Sequence, residues 1–551
     1  MNPGNELIFL ALGGSGEIGM NVNLYGTEGK WLMVDLGMTF SGGEYPGVDL
    51  VFADLEFIEE RKADLLGIVL THAHEDHIGA VPYFAADLGV PLYATPFTAR
   101  LVQGKLDEAG ITDDIDLRVI EHEDDFDLGP FTIRYVPLAH SIAEGNALLI
   151  GTPHGRIFHT GDWKLDDEPQ IGVPTTGDEL TEIGDEGVLA LVCDSTNVFN
   201  PEASGSEGDV LRGLLKEVKE HGGKRVLVTT FASNVARLQT LGAVAKATGR
   251  KLCVAGRSLD RIIATGKASG YLKDLPELVD VVTAMQLPRG EVLILATGGQ
   301  GEPRAALSRI AEESHPVALE KGDVVLFSSR QIPGNEIAIG RIQNRLAQRG
   351  IQIVTDRQSF IHVSGHPGRP ELEALYGWLR PRTLVPVHGE MRHMTDQARL
   401  GKSSGIPEVV VQKNGDLVRL APGKPGKIGE VRAGRLVLDG DIIAPADGEA
   451  MVMRRRLAHN GMVVVALDGR GGVQVAGVGL PLEEDYQAFV EEAEADVKAA
   501  VGKLQGGARK DQAQVVEVAR LAARRAATRW SGKRPQVKVM LPGHEAGKEP
   551  N

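Results

Sequence analysis

The chain has 551 residues, of which 42% are hydrophobic and 24% charged, with a formal net charge of −16. A chain of this length does not fold around a single hydrophobic core, so we predict about three domains. The apolar runs are shorter than the ~18 residues that a membrane-spanning helix needs, which argues against a membrane partner. Taken alone, the acidic net charge argues against nucleic-acid binding, but a metal cluster and a local basic groove can attract phosphate on an acidic surface, so it is weak evidence either way.

The first segment is predicted to contain short strands at 7–12, 21–25 and 31–36, joined by glycine-rich turns. The turn between the first two strands is Gly13-Gly14-Ser15-Gly16-Glu17-Ile18-Gly19. It resembles a phosphate-binding loop, but no convincing helix follows it, and both dinucleotide sites and P-loops require one. We interpret it as a tight turn that lets the backbone pass close to a metal site. Nucleotide binding is the alternative.

A motif rich in histidine follows an apolar run at 65–70 that is typical of a buried strand. It comprises Thr71-His72-Ala73-His74-Glu75-Asp76-His77-Ile78-Gly79-Ala80, and a helix is predicted from 78 to 88. Three imidazoles and two carboxylates within six residues are costly to bury without a partner. A divalent metal removes that cost, because imidazole and carboxylate are ligands that such ions favour. The spacing places His72 and His74 on one side and Asp76 and His77 past a bend, which favours two adjacent ions over one.

Three further residues each end an apolar or β-rich run: His140, Asp162 and His388. Strand ends along one sheet edge converge in space, so separation along the chain is no obstacle to a common site. The predicted metal ligands are therefore His72, His74, Asp76, His77, His140, Asp162 and His388. Three other histidines, His122, His154 and His221, lie among turn residues or at a helix end and are predicted to be surface residues.

The middle of the chain changes pattern and alternates strands with helices, which is typical of a parallel α/β sheet. The predicted strands lie at 225–230, 251–255, 292–296, 324–328 and 351–355, with helices near 234–248 and 336–348. We therefore predict an insertion, after which the chain returns to complete the first domain with His388. The predicted limits are 1–205 and 361–445 for the two parts of the first domain, 206–360 for the insertion and 446–551 for a C-terminal domain.

The return segment carries a candidate phosphate-binding motif, which consists of His362, Val363, Ser364, Gly365 and His366. Imidazoles, a hydroxyl and a glycine amide can all donate hydrogen bonds to phosphate. Ser233 and Asn234, at a predicted strand-to-helix turn, are candidates for a further phosphate contact at a helix N-terminus. A polar turn without a ligand is the alternative for the return segment.

The metal motif resembles that of the metallo-β-lactamase superfamily, and further motifs resemble the ribonuclease J family within its β-CASP subgroup. The stretches that carry this closer resemblance are 13–19, 74–79, 161–166, 193–197, 231–234, 297–303, 362–366 and 386–390. Ala73 and Gly299 depart from the family pattern, but neither is a ligand position. The resemblance implies an α/β fold: an αββα metallo-β-lactamase sandwich, an inserted parallel α/β (β-CASP) domain, and a small C-terminal α/β domain associated with dimer formation.

The same resemblance implies a metal-dependent ribonuclease with both 5′-to-3′ exonuclease and endonuclease action in RNA maturation and decay. Two divalent ions per subunit are expected, with zinc as the first choice and manganese as the alternative, and a bridging water would become the attacking hydroxide. One ion would bind His72, His74, His140 and Asp162, and the other Asp76, His77, Asp162 and His388. Asp76 would orient the nucleophile, His366 would act as general acid, and Asp194 would adjust that part of the site.

The expected partner is single-stranded RNA, preferably 5′-monophosphorylated, acted on by a homodimer or higher homo-oligomer. Two cysteines far apart, Cys193 and Cys253, do not form a disulfide framework, which favours a reducing cytoplasm. The other classes of function are a hydrolase of small molecules, a non-catalytic RNA-binding scaffold and a DNA-directed nuclease of the same subgroup. The long insertion argues against the first, and the intact ligand set against the second.

Overall fold

The computed structural model describes residues 3–121, 124–331, 334–468 and 470–542. The chain divides into two compact units, Met1–Phe40 with Val51–Gly434, and Ser41–Leu50 with Arg435–Asn551. None of the described helices is long and apolar enough to cross a membrane.

Two mixed sheets form the body of the first unit. The first sheet has eight strands, in the spatial order Gly426–Glu430, Asp416–Ala421, Leu7–Gly13, Val22–Thr27, Lys30–Val34, Leu65–Val69, Leu92–Ala94 and Leu117–Val119. The second has seven, in the order Asp125–Leu128, Phe131–Pro137, Asn146–Thr152, Gly155–His159, Ala190–Asp194, Thr383–Val387 and Glu408–Val409. Short strands also occur at Met38–Phe40 and Leu50–Ala53, and Ser15–Gly16 pairs with Gly389–Glu390.

The two sheets pack face to face, because each presents an apolar face that must be buried. Phe9, Tyr25 and Val69 of the first sheet share one core with Ile133 and Val192 of the second. The outer layers are formed by the helices Glu56–Glu59, Glu75–Ile78, Val81–Leu88, Pro96–Ala109, Gly177–Asp185, Arg369–Leu379 and Met391–Ser403. The predicted αββα sandwich is confirmed. The helix predicted from 78 to 88 is wrong at its start, because the chain forms two shorter helices on either side of Gly79 and Ala80.

The insertion is an all-parallel sheet, as predicted, but it has six strands where the sequence predicted five, and Leu278–Val279 is the additional one. Its spatial order is Leu278–Val279, Lys251–Ala255, Val292–Ala296, Val226–Thr229, Val324–Phe327 and Gln352–Thr355. Its helices are Glu207–Glu220, Val235–Thr248, Arg257–Ala268, Val281–Gln286, Ala306–Ala311 and Glu336–Gln348. Asn234 begins the second of these helices by accepting a hydrogen bond from the Arg237 amide, and Gly249 ends it in the left-handed conformation that glycine adopts without strain.

The returning chain adds the strand Thr383–Val387 to the second sheet, parallel to Ala190–Asp194. The register pairs Asp194 with Val387, so Asp194 and His388 emerge beside each other. Strand Gly155–His159 is parallel to the same central strand and delivers Asp162 to the same edge. Carboxyl ends of adjacent parallel strands are where α/β sheets place their sites.

The second unit contains the hairpin Arg435–Asp439 and Ile442–Pro445, and a sheet in the order Val473–Val478, Met462–Leu467 and Gln536–Met540. Its helices are Glu449–Asn460, Tyr486–Gly502, Gly507–Lys510 and Gln512–Ser531. Phe489 and Val497 of one long helix share a core with Ala519 and Ala526 of the other and with Val465 of the sheet. This is the small C-terminal α/β fold that the family resemblance implies.

Candidate metal centre and substrate site

All seven predicted ligands converge at one edge of the sandwich in two groups that share Asp162. In each group, the candidate ligand atoms lie within 4.8 Å of one another. One group is His72, His74, His140 and Asp162, and the other is Asp76, His77, Asp162 and His388. The first sheet supplies the histidine-rich motif after strand Leu65–Val69, while the second sheet supplies the remaining three residues after its own strands.

The first group is compact. His74 Nδ1 lies 3.1 Å from His72 Nε2 and 3.1 Å from His140 Nε2. Asp162 Oδ2 is 3.7 Å from His72 Nε2 and 3.8 Å from His140 Nε2. Three ring nitrogens and one carboxylate oxygen thus face a common point, which is the donor set of a site for a divalent ion.

The second group surrounds the other oxygen of the same carboxylate. Asp162 Oδ1 lies 3.2 Å from His77 Nε2 and 3.3 Å from His388 Nε2. Asp76 Oδ2 is 3.5 Å from His388 Nε2 and 3.7 Å from His77 Nε2. Asp76 is the more exposed carboxylate, since 30% of its side chain is accessible against 3% for Asp162.

The surroundings of Asp162 show whether this site fits metal ions. Its Oδ1 atom is buried, and the His77 and His388 ring nitrogens near it are not oriented to form a hydrogen bond, so it has no such partner among the described residues. A buried carboxylate oxygen without a donor is costly, and a bound cation would satisfy it. Five imidazoles and two carboxylates whose donor atoms converge in this way fit two divalent ions, with Asp162 as the residue common to both.

Neighbouring groups orient several of the candidate ligand rings. His77 Nδ1 lies 2.7 Å from Asp35 Oδ2, and His140 Nδ1 lies 2.7 Å from the Gly365 carbonyl. His72 Nδ1 is 3.0 Å from the Thr71 hydroxyl. A hydrogen bond at one ring nitrogen leaves the other free to bind a metal and keeps the ring in position. Asp35 has no assigned role in the sequence analysis, because nothing in its own stretch marks it as a partner of His77.

We expect Asp35→Asn to weaken metal binding by about 10- to 100-fold. The asparagine amide would turn a donor toward His77 Nδ1, which favours the tautomer whose Nε2 carries the proton and cannot ligate a metal. Asparagine tolerates the backbone φ of +64° at this position, so the backbone is preserved. Titration with metal in chelator buffers measures the effect. Asp64→Asn, at an exposed ion pair with Lys30, is the control, and equal affinities in the two variants would contradict the assignment.

Burial and charge divide the histidines into two kinds. Burial lowers the pKa of His74 and of His140 to about 3, so both are neutral at pH 7, the form that ligates metals. Burial and the nearby His77 also lower the pKa of His72. Burial opposes charge on His77 too, but the Asp162 and Asp76 carboxylates outweigh it and raise the pKa of His77 well above its usual value.

The glycine-rich turn at 13–19 passes directly beside this centre. The Gly19 amide lies 3.3 Å from His388 Nδ1, and the His388 amide donates to the Gly14 carbonyl over 2.6 Å. A side chain at Gly14 would collide with Asn21, 2.3 Å away, and φ there is +82°. The interpretation as a tight turn that brings backbone close to the metal site is confirmed.

His366 and Asp194 form a hydrogen-bonded pair next to the two groups. His366 Nδ1 lies 2.7 Å from Asp194 Oδ2, and its Nε2 lies 4.0 Å from Asp162 Oδ2. Burial opposes the charged form of His366, but the Asp194 and Asp162 carboxylates raise its pKa to about 9. The ring is therefore protonated at pH 7 and has a proton to donate at the edge of the centre.

The rest of the 362–366 segment folds tightly against the first group. The His366 amide donates to the Ser364 hydroxyl over 3.0 Å, and Val363 is buried. A side chain at position 365 would approach His140 Cε1 to 3.0 Å, so glycine permits this close approach. His362 Nδ1 is buried without a hydrogen-bond partner among the described residues.

The remaining predicted positions have other surroundings. Asn234 is 4% exposed and its side-chain oxygen accepts from the Arg237 amide over 2.9 Å, while Ser233 is half-buried. His154 is partly exposed in a turn, and His122 lies outside the described residues. The prediction of a surface position is wrong for His221, which is 9% exposed, because it packs beside Glu217 and its carbonyl accepts a hydrogen bond from Arg250.

Comparison with known families identifies the domains. Residues 16–185 match the family model described as the metallo-beta-lactamase superfamily, and 350–411 match a Zn-dependent metallo-hydrolase RNA specificity domain. Residues 223–346 match the ribonuclease J beta-CASP domain, and 449–542 match the ribonuclease J C-terminal domain. The fold and site thus define a β-CASP metallo-hydrolase that acts on RNA.

Similar curated proteins cover nearly the whole chain. Ribonuclease J of Sinorhizobium meliloti is 42% identical over 98% of this chain and 98% of its own length. Ribonuclease J of Mycobacterium tuberculosis is 36% identical over 96% of this chain and 95% of its own, and that of Thermus thermophilus is 36% identical over 86% and 84%. The chain belongs to the ribonuclease J family, and it is a metal-dependent ribonuclease.

A solved structure supports the fold alone. The crystal structure of a protein of unknown function from Enterococcus faecalis V583 has a TM-score of 0.52 and 16% sequence identity. The match covers 75% of this chain and 100% of the Enterococcus faecalis chain.

Proposed function

We propose that this chain hydrolyses RNA phosphodiesters at a centre of two divalent ions held by His72, His74, His140 and Asp162, and by Asp76, His77, Asp162 and His388. The buried Asp162 carboxylate carries this proposal, because its two oxygens face the two groups and one of them has no donor. When bound, such ions lower the pKa of water and stabilise charge on phosphoryl oxygens. Imidazole and carboxylate ligands suit zinc and manganese, and we propose zinc.

The protein side chains then have separate tasks. Asp76 orients the attacking water, since its carboxylate is more exposed to solvent than that of Asp162. His366 donates its proton to the leaving 3′-oxygen, and Asp194 keeps the His366 ring protonated and aimed. Asp35, Thr71 and the Gly365 carbonyl hold three candidate ligand rings in place.

The 362–366 segment holds the phosphate on the substrate side. The amides of Val363 and Gly365 offer donors next to the metal centre. The Ser364 hydroxyl donates to the His366 carbonyl over 3.0 Å and would exchange that bond for one to the phosphate. His362 adds an imidazole whose Nδ1 atom lacks a partner among the described residues. Ser233 and Asn234 lie at the N-terminus of helix Val235–Thr248, where backbone amides favour a second phosphate group.

Further features of the proposal follow from the family resemblance. The substrate is single-stranded RNA, preferably with a 5′-monophosphate, cleaved by 5′-to-3′ exonuclease and by endonuclease action in RNA maturation and decay. The enzyme is a homodimer or higher homo-oligomer of the cytoplasm, where the two buried free thiols stay reduced. The proposed domain limits are 1–205 with 361–445, 206–360 and 446–551, supported by the inserted sheet, whose strands lie between Val226 and Thr355.

The decisive assay compares 5′-monophosphorylated single-stranded RNA with DNA of the same sequence. We expect mononucleotides to be released from the 5′ end, because the segment at 362–366 holds the terminal phosphate. We expect them from the RNA only, because the 2′-hydroxyl distinguishes RNA from DNA. Addition of a chelator, or the Asp76→Ala substitution, should abolish release, since each removes part of the metal centre. RNA that stays intact although the protein retains its metal would contradict the proposal, and cleavage of DNA alone would favour a DNA-directed nuclease.

A further inference from the structure

Arg237 is a fully buried arginine in the inserted domain, on helix Val235–Thr248 and outside the metal centre. Its guanidinium faces the buried Glu207 carboxylate, with Nη2 at 3.1 Å from Oε1 and Nε at 3.3 Å from Oε2. A buried arginine is stable only when its donors are paired, and the ion pair with Glu207 uses the Nε and Nη2 donors of the guanidinium.

The other side of the guanidinium reaches the segment that carries His366. Arg237 Nη1 donates to the Ile361 carbonyl over 3.1 Å and to the Ser328 carbonyl over 2.9 Å. The Ser328 hydroxyl donates to the same Ile361 carbonyl over 2.6 Å. Ile361 is fully buried and directly precedes the 362–366 segment, so two donors from the inserted domain fix the point where that segment begins.

The segment is held at its other end by the metal-site edge. The Gly365 carbonyl lies 2.7 Å from His140 Nδ1, and His366 Nδ1 lies 2.7 Å from Asp194 Oδ2. Between Ile361 and His366 stand only four residues, 362–365. A shift of the Ile361 carbonyl therefore moves His366 unless the intervening turn absorbs it.

Glu207 continues the same chain of contacts toward the loop that carries Asp162. The Glu207 amide donates to Asp166 Oδ2 over 2.9 Å, and Lys164 Nζ lies 2.8 Å from the same oxygen. Asp166 and Lys164 are both buried and follow Asp162 by a few residues. Four buried charged residues thus form a connected series: Lys164, Asp166, Glu207 and Arg237. The series links the loop that carries Asp162 to Ile361, where the segment that carries His366 begins.

We propose that Arg237 is a positioning residue for His366: it fixes the Ile361 carbonyl and so sets where the imidazole meets the leaving 3′-oxygen. This inference rests on the proposed role of His366 as general acid. Lysine at position 237 could keep the charge beside Glu207, but a single ammonium cannot also reach Ile361 and Ser328 in the fixed geometry of a guanidinium.

We expect Arg237→Lys to lower kcat on RNA about 10- to 100-fold, because small misplacements of a catalytic group carry losses of this size. KM and the metal content should stay close to wild type. Hydrolysis of bis(p-nitrophenyl) phosphate should fall less than about threefold, since p-nitrophenolate leaves without help from an acid. Loss of activity through general unfolding would affect both substrates alike.

A double-mutant cycle with His366→Ala separates positioning from other effects. If Arg237 acts through His366, adding Arg237→Lys to His366→Ala should lower kcat on RNA by less than about twofold. If the fold-losses of kcat from the two single variants multiply in the double variant, the inference is overturned while the proposed function stays intact. If His366→Ala alone keeps the wild-type rate on RNA, the acid assignment fails and this inference fails with it.

Two further variants complete the experiment. Arg250→Lys is the matched control, because Arg250 is also buried and its hydrogen bonds to described residues all go to backbone carbonyls, at the opposite end of the same inserted sheet. We expect Arg250→Lys to keep the wild-type ratio of the rate on RNA to the rate on bis(p-nitrophenyl) phosphate. If Arg237→Lys does not fold, Ser328→Ala replaces it in the cycle: it removes one donor to Ile361, leaves the ion pair, and should lower kcat on RNA about 3- to 10-fold. An unchanged rate in Ser328→Ala would then overturn the inference.

Discussion

Asp162→Asn is expected to reduce kcat/KM on RNA by about 10³-fold, because metal ions contribute several kcal/mol of transition-state stabilisation and about 4 kcal/mol corresponds to that factor. Asp162 is the one residue common to both groups, and each of its oxygens faces a different set of imidazoles. The amide of asparagine carries no charge and offers one oxygen. One group would then lose the oxygen donor that position 162 supplies, and the other would keep only an uncharged one.

Metal content and rate should therefore fall together in Asp162→Asn. Elemental analysis after dialysis gives the ions per chain, and cleavage of 5′-monophosphorylated RNA gives the rate. Asp167→Asn is the matched control, since Asp167 is exposed on the same loop. A variant at position 162 that retains two ions and the wild-type rate would contradict the shared-ligand assignment.

His366→Ala is expected to lower kcat on RNA by about 10²- to 10⁴-fold, the range for loss of a general acid. The ring is protonated at pH 7, because the neighbouring Asp194 and Asp162 carboxylates overcome burial and raise its pKa to about 9. His366 is not part of the two groups that share Asp162, so the variant should keep the two proposed ions.

The substrate dependence of His366→Ala distinguishes an acid from a ligand. Hydrolysis of bis(p-nitrophenyl) phosphate should be affected far less than hydrolysis of RNA, since its leaving group needs no proton. His154→Ala, at a partly exposed turn, is the control and should match the wild type on both substrates. Equal losses on the two substrates, or loss of metal, would show that His366 has another role.

Residue type and spacing are enough to indicate the candidate ligands without knowledge of the fold. His72, His74, Asp76 and His77 are neighbours in the chain, so their grouping is a local property. His140, Asp162 and His388 each end a strand-like run, which predicts them as ligands, and the structure brings all three to the same place. The parallel sheet of the insertion was also predictable, since its strands and helices alternate in the sequence.

Contacts between distant segments were not predictable in the same way. Asp35 meets His77 because strands Lys30–Val34 and Leu65–Val69 run parallel, and because its backbone adopts a positive φ that no local pattern indicates. Arg237 meets Ile361 across 124 positions of sequence. The helix break at Gly79 and Ala80, by contrast, has a local cause, since Pro82 lacks the amide that would bond the Ile78 carbonyl of a continuous helix.

By itself, the sequence determined the chemistry of this protein: which side chains can bind metal, and that an α/β insertion interrupts the domain that carries them. Those properties reside in residue types and short periodicities, which survive without tertiary contacts. Only the tertiary structure decided how the ligand rings are aimed and what holds the 362–366 segment. Such orientation depends on sheet register and on buried hydrogen bonds between segments far apart in the chain, and these exist only once the chain has folded.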